Sequence, residues 1–513
     1  MQQQQISHPS NKGDLPSFQH PKLREVMRDL DLVADCWDLL RGDAKKRHLP
    51  KEAGEPRQAY EARVGRSSYP SFFKDGVSAF AGVLSRYQLR GVQQGLLDAA
   101  QDIDGEGNSL KAWGLGTDAL VLRDGGCLLM ADAPQGTPES RAQERAQGRR
   151  PTFSAAERRN VLNWRTVKRG GRRVPIAVTI LEWHEVKDGD YGVKLEPRYR
   201  VMQGGRWRLL EITGNGGKGA SASFIIKVAT DDDGRPQEGT FTGPRGEALE
   251  SPPVAWYGVS RDGFGEGGLP LLSLANLTLD WFREYSDLKE LLHRCALPVA
   301  VVKGRRMAGP NGEPLPLMLG PNSVVEFPNA GSGEGLEFAE PSGNSLDKHL
   351  SHLGGIEKLI DRSTLSFLFS GSGERTATQA ELEGAQLQAT ITAMAESKSS
   401  AWESLFQLWG AFTGELPQRG AGLDLLPGVT DKPVDDALLT LAGTLYDKGL
   451  LMRETVTHLA QKRGMLRPGA DGQKEAADLA AEDERQQALM NPPAPGPNDL
   501  AGGGVDAQGL PLN

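Results

Sequence analysis

The chain contains no run of eighteen apolar residues, so the reading predicts no membrane-spanning helix. Its three cysteines, Cys36, Cys127 and Cys295, are odd in number and far apart, which argues against a disulfide framework or a CxxC metal site. Such sparse cysteine use fits a reducing compartment. The first residues, MQQQQISHPSNKGD, hold no apolar core and do not read as a signal peptide. Catalytic signatures are missing too: there is no GxSxG, no HExxH and no CxxC. GNGGKGAS, residues 214–221, imitates a phosphate loop, but Lys218 is followed by Gly219 rather than Ser or Thr. It also lies between two predicted strands, so a glycine-rich hairpin is the expectation. In the predicted strand holding Trp183, His184 and Glu185, the last two would point to opposite faces and make no dyad. The expectation is a non-catalytic protein that needs no cofactor and no metal. Only a carboxylate cluster assembled by the fold would make it an enzyme.

What is present is length, polarity and periodicity. The 513 residues allow two or three packed domains, and 38% hydrophobic content points to a water-soluble chain. The net charge is −8, of which residues 471–513, with eight acids and two bases, carry −6. The body is therefore near neutral and does not read as a protein that wraps nucleic acid by counterion release.

The organising stretch is residues 268–414. It begins GLPLLSLANLTLDWFREYSDLKELLHRCALPVAVVKG, where Leu274, Leu277, Trp281, Tyr285, Leu288 and Leu292 follow one helical stripe. Residues 271–297 would form a rod of about 40 Å, stopped by Pro298. A glycine- and proline-rich excursion follows, with strands expected at 299–302, 323–327 and 336–338. A second helix is expected over 344–368, with Leu346, Leu350, Leu353, Ile356, Ile360 and Leu365 on one face and polar residues on the other. His349 and His352 stand at i, i+3 there, and with no partnering carboxylate motif they read as a solvated face. SGSGER, residues 370–375, is flexible by composition and leads into a long third helix near Thr376. That helix turns from small residues to Trp402, Leu405, Phe406, Trp409 and Phe412, which suggests a kinked helix anchored at one end or a plain core helix.

Upstream, the reading predicts a helix over 21–40 that ends at Gly42, and a helical hairpin whose Arg57, Arg63, Arg66 and Lys74 form a solvated face. Strands at 120–123 and 127–131 are expected to flank an Asp124-Gly125-Gly126 turn. In RRPTFSAAERRNVLNWRTV, residues 149–167, Ser154 and Glu157 form a capping-box pattern. IAVTILEWHEV, VKLEPRYRVM, RWRLLEI and ASFIIKVA then read as an antiparallel meander, and PPVAWYGVS as a last strand.

Several of these segments carry a family resemblance. PLLSLANLTLDWFREYSDL followed by ALPVAVVKG, the motif GERTATQAELE at 373–383, the Asp132-Ala133-Pro134 step and the Asn163-Trp164 pair are similar to tailed-phage portal proteins, in a branch long catalogued as a family of unknown function. The resemblance spans residues 21–465, and after Arg150-Pro151 it implies a helix that ends at Asn163-Trp164. It implies an α+β portal fold: a disordered tail at 1–20, a wing at 21–270, a stem helix at 271–298, a clip at 299–343, a second stem helix at 344–368, a tunnel loop at 369–378, a long wing helix with its following loop at 379–425, a crown-like helical region at 426–466, and an acidic, Pro/Gly-rich disordered tail at 467–513. It also implies a homo-oligomeric, usually dodecameric, ring at one capsid vertex of a bacteriophage virion, assembled in the host cytoplasm. Double-stranded DNA would pass through the channel during packaging and ejection. The major capsid protein, the terminase large subunit and a head-tail adaptor would be its partners.

The same resemblance implies site residues. Ser370, Gly371, Ser372, Gly373, Glu374 and Arg375 would face DNA in the tunnel loop. Lys348, His352, Lys358 and Arg362 would line the channel. Arg305, Arg306, Asn311 and Glu313 would dock the adaptor or terminase at the clip. The alternative reading is a non-portal virion structural or adaptor protein in which the three helices form a simple bundle.

Overall fold

The computed structural model describes residues 12–132, 150–214, 224–231, 233–260, 263–295, 299–303, 335–339, 344–364, 377–425 and 436–448, with the single positions 456 and 481. It is an α+β protein that divides into two units, residues 1–426 and 427–513. The second unit is described through one helix, Asp436–Asp447, in which Ala442 is buried while Leu441 and Tyr446 are exposed.

The first unit begins with helix α1, Pro21–Trp37. Pro21 suits a first helical turn, where its missing N–H leaves no bond unmade. Leu23, Leu30, Val33, Ala34 and Cys36 are its buried face. The expected disordered start gives way to ordered chain well before Pro21. Residues 12–14 form a short 3-10 helix, and the His20 ring stacks on Trp164 at 4.0 Å. The helix stops at Trp37 rather than at Gly42, because Leu39 and Leu40 take left-handed φ values of 56° and 51°. That conformation is costly for leucine. Burying Leu40, 2% exposed, offsets the cost by about 2 kcal/mol.

Three helices follow: α2, Ala44–His48; α3, Arg57–Arg66; and α4, Phe72–Leu84. The expected solvated arginine face is corrected here. Arg63 is 4% exposed and grips Glu55 with two N–H···O bonds of 2.9 Å each, while a third, of 3.0 Å, reaches the Pro50 carbonyl. Arg66 pairs with Glu290, and the Lys74 ammonium sits 5.1 Å above the Trp37 ring. Arg57 alone keeps a largely exposed side chain.

After β1, Tyr87–Arg90, and α5, Gln94–Ala99, the chain forms α6, Leu110–Asp124. This corrects the expected hairpin at 120–131. An apolar run such as ALVL has no period of its own, so a buried helix and a strand look alike in sequence. The helix is capped at its start by Ser109, whose Oγ accepts the Ala112 N–H at 3.2 Å. It ends at Gly125, whose φ is 77° and whose added Cβ would lie 2.3 Å from the Gly268 carbonyl oxygen. Asp-Gly-Gly is thus a helix stop leading into β2, Gly126–Asp132.

The helix expected after Arg150-Pro151 and ending at Asn163-Trp164 is also corrected. Its residues form β3, Thr152–Glu157, one 3-10 turn, and β4, Val161–Arg169. Ser154 Oγ donates to Asp132 Oδ2 at 2.8 Å across the β2–β3 pair instead of capping a helix. Its buried positions, Phe153 and Ala156, are three apart and so lie on opposite faces of the strand.

The expected meander is present. β4 pairs in sequence with β5, Arg172–Asp188; β6, Gly192–Gln203; β7, Arg206–Gly214; and β8, Phe224–Val228, while β9, Glu238–Thr240, joins β7. β10, Val254–Gly258, pairs with β2 in a separate sheet of order β10-β2-β3. His184 Nε2 sits 3.1 Å from Glu182 Oε2, two residues away on the same face of β5. The glycine-rich run at 215–223 lies outside the described residues.

Two apolar clusters hold this unit. One gathers Phe153, Val161, Met202, Trp402, Phe406 and Trp409 under the sheets. The other gathers Val33, Phe73, Val77, Leu274, Phe282, Ile356 and Ile391 among the helices.

The Arg63 guanidinium holds the Glu55 carboxyl down at about 2, against an ordinary 4.5. A depressed acid contributes stability above its unfolded value and loses it as pH falls through the folded one. Wild-type unfolding free energy should therefore drop between pH 4.5 and 2 more steeply than that of Glu55→Gln, and the two curves should converge near pH 2 in urea titrations. Parallel curves would contradict this.

Candidate functional site

Helix α7 runs Leu272–Cys295, and a β-hairpin follows from β11, Val299–Lys303, and β12, Gly335–Ala339. Helix α8, Asn344–Ser363, returns beside α7. The two helices are antiparallel. The Trp281 indole N–H donates to Glu357 Oε1 at 3.0 Å, while three residues further along α7, Glu284 meets His349 and His352. β11 and β12 are also antiparallel, from Val299↔Ala339 to Lys303↔Gly335, and Lys303 Nζ lies 2.6 Å from Glu337 Oε2.

The stripe expected on α7 is only partly its buried face. Leu274 and Leu288 are buried, and Ala275, Thr278, Leu279, Phe282 and Ser286, off the expected stripe, are as deep as Leu274 or nearly so. Leu277, Trp281 and Tyr285 are half-buried, and Leu292 is 46% exposed. The helix is gripped from two sides, which rotates its core face away from the one read from leucines and aromatics. On one side Trp281 meets Phe72 edge-on at 5.4 Å and stacks on Tyr285 at 4.6 Å. On another, a polar seam ties α7 to the segment around α3. Ser67 Oγ donates to Ser286 Oγ at 2.7 Å, Lys289 Nζ donates to the Arg66 carbonyl at 3.1 Å, and Arg66 pairs with Glu290.

His352 is exposed, as a solvated face requires, and His349 is half-buried, with one carboxylate nearby. Nδ1 of His349 lies 3.5 Å from one Glu284 oxygen and Nε2 of His352 lies 3.8 Å from the other. The carboxylate arrives from the neighbouring helix, which spacing along one helix does not reveal. Among the described residues, no group of three His, Cys, Asp or Glu side chains is placed to hold a metal ion. No helix among them is long and apolar enough to cross a membrane.

Lys348, His352, Lys358 and Arg362 are all exposed on α8. Ser370, Gly371, Ser372, Gly373, Glu374 and Arg375 lie outside the described residues, as do Arg305, Arg306, Asn311, Glu313, the expected strand at 323–327 and the end of the expected helix at 365–368.

Helix α9, Ala377–Thr413, is one uninterrupted helix of 37 residues. Its second half is core: Ala401, Trp402, Leu405, Phe406 and Trp409 are at most 5% exposed. It ends near β13, Gly422–Leu425, which pairs with β1. In line with the apolar stripe stands Lys398, 1% exposed. Its ammonium donates to Asp118 Oδ2 at 2.6 Å and to the Leu84 carbonyl at 2.9 Å, and lies 4.4 Å over the Tyr87 ring. Tyr257 Oη donates to the other Asp118 oxygen at 2.9 Å, and Ser397 Oγ donates to the Gly258 carbonyl at 2.7 Å. Burial pushes the Asp118 carboxyl up and the Lys398 ammonium down, each opposed by the other's charge. The sequence reading missed this network, although a lysine spaced four residues from both Met394 and Trp402 was its visible sign.

A family model described as Domain of unknown function (DUF4055) matches residues 270–413. No curated protein matches the chain. Among solved structures, a chain in the virion of a native gene transfer agent particle aligns at TM-score 0.38 and 14% identity, over 81% of this chain and 98% of that one. A chain in the neck of the empty particle, computed with C6 symmetry, aligns at TM-score 0.37 and 13% identity, over 81% and 98%. One in the neck of the native particle, computed with C12 symmetry, aligns at 0.34 and 14%, over 76% and 89%. TM-scores this low establish neither a shared fold nor a shared role.

Removing one member of a buried ion pair leaves the other charge uncompensated, at a cost of about 3–5 kcal/mol. Lys398→Met and Asp118→Asn should each lose about that much in urea unfolding, and the double variant should lose clearly less than their sum. Additive losses would show that the two groups do not act as a pair.

Proposed function

We propose that this chain is a ring-forming portal-type subunit with a structural, non-enzymatic role at a phage capsid vertex. The observation that carries the reading is the antiparallel α7–α8 hairpin, closed by β11–β12 at one end and rooted at the other in a helical core. The long α9 follows and returns to the α/β body. This is the order that the portal resemblance implies for stem, clip, stem and wing helix, over the residues that the family model matches.

Leu292, Leu350 and Leu359 stand 46%, 55% and 47% exposed on the hairpin, apolar surface that a neighbouring subunit would cover. In this reading residues 370–375 meet DNA, with Arg375 attracting phosphate and Glu374 repelling it. Lys348, His352, Lys358 and Arg362 line the channel, and Arg305, Arg306, Asn311 and Glu313 dock terminase or adaptor. The alternative of a simple three-helix bundle is less favoured, because the core half of α9 packs under the sheets rather than against α7 and α8 alone.

Native mass spectrometry and negative-stain images of the purified protein test the proposal. The expected result is a closed ring of about a dozen subunits with a central hole, in keeping with cyclic closure of a head-to-tail interface. Shortening residues 370–375 should leave the ring intact and impair DNA packaging or retention. A compact dimer without a hole overturns the reading.

A further inference from the structure

The β4–β5 hairpin carries a charge pattern that the fold itself does not require. From Arg158 to Leu181 the chain holds seven bases and no acid. Five of them, Arg165, Lys168, Arg169, Arg172 and Arg173, fall within nine residues around the turn, and all five are exposed. The strand register sets Lys168 opposite Arg173 and Arg169 opposite Arg172. Like charges placed directly across an antiparallel pair are destabilising. Among the described residues a single carboxylate answers them: Glu250 Oε2 lies 2.9 Å from Arg169 Nη1, both side chains being largely exposed. Among the described residues, Arg165, Lys168, Arg172 and Arg173 have no ion-pair partner.

The geometry of the hairpin is well defined. Gly170 and Gly171, with φ of 55° and 83°, form a two-residue turn whose twist matches that of the strands. β6 pairs with β5 only from Ala177 onward, so the turn and the residues beside it project as a ribbon of two strands. Opposite residues share a face of a ribbon and successive residues alternate. Lys168 and Arg173 therefore occupy one face, and Arg169 and Arg172 the other.

We propose that this ribbon is a binding site for the phosphate backbone of duplex nucleic acid, inserted into the major groove with one cationic face toward each phosphate wall. The groove, about 12 Å wide, admits a two-stranded ribbon. Cations on both faces distinguish this occupant from an acidic protein segment, which would lie on one face or along the β4 edge and leave the other face unanswered. The exposed polar groups of the ribbon are all cationic donors set on both faces, so the contact proposed is to the phosphate walls, with no sequence preference required. With the chain at −8 overall, attraction is confined to this local patch. The site does not depend on the ring reading, since the ribbon belongs to a single chain.

The test is fluorescence anisotropy of the full-length protein with a labelled duplex of about 30 base pairs, across a salt series. Each phosphate contact contributes about 0.9 to the slope of log affinity against log salt. Lys168→Ala/Arg172→Ala/Arg173→Ala should bind at least about tenfold more weakly at low salt, with the slope reduced by roughly 2–3. Its melting temperature should not fall, because repulsion across the strands is relieved. Should the triple variant unfold, Lys168→Gln alone should lower the slope by about 1. Unchanged duplex binding in a folded variant overturns the proposal, as does polyglutamate binding the wild-type ribbon more tightly than the duplex. The variant with residues 370–375 shortened should still bind, which separates this site from a channel contact. Duplex binding without rings upholds this site and counts against the ring, and rings without duplex binding do the reverse.

Discussion

The structure of the first unit turns on one buried ion pair. Lys398 stands on α9 between the two apolar clusters: Ile391 and Met394 belong to the helical one, and Ala401 through Phe412 to the one under the sheets. Its ammonium engages α6 through Asp118 and the end of α4 through the Leu84 carbonyl. Tyr257 brings β10 to the same carboxylate. Four elements far apart in sequence thus share one charged centre, closed off from water. Such a pair adds little net stability over an apolar replacement, because desolvation opposes the Coulomb attraction. What it does is penalise every other arrangement, since sliding α9 by one residue would strand both charges. It fixes the register of a helix that joins the two cores, as α1 and α6 also do through Leu30 and Val33 and through Val121 and Leu122.

That fixed helix gives the α7–α8 hairpin a firm base. Phe282, Ile356 and Ile360 root the hairpin in the cluster that Ile391 and Met394 complete. The Ser67–Ser286 bond and the Arg66–Glu290 pair hold α7 from its other side. Further out, Leu292 and Leu350 are exposed, and among the described residues β11–β12 forms a sheet of two strands. A two-stranded hairpin is marginal in water by itself. A hairpin anchored at its base and carrying exposed leucines further out is what an assembling subunit would present to its neighbour, and this physical asymmetry underlies the proposed ring.

Much of this was legible in the sequence, for reasons that differ by element. The α7 and α8 segments are long and strongly periodic, and the meander from β5 to β8 alternates between turn residues, so local pattern decided both. Where it failed, tertiary context won. The ALVL run became the end of α6 because both its faces are buried, which erases the period. TFSAAE satisfied a capping rule yet formed β3, because β2 offers it a partner. Arg63 looked like surface because Glu55 and the Pro50 carbonyl, which receive it, lie across a turn. His349 and His352 could not be matched to Glu284, more than sixty residues away on another helix. Long-range polar pairs leave no periodic trace, and they are what locks this fold.

Native-state hydrogen exchange resolved by residue measures that lock most directly. If the buried pair joins both cores, amides of residues 391–412, 254–258 and 118–124 should share one slowest class and open together only in global unfolding. If residues 391–412 instead exchange through a smaller opening of their own while 254–258 stay protected, α9 detaches as a separate unit, and the pair at Lys398 is not the constraint on which the rest depends.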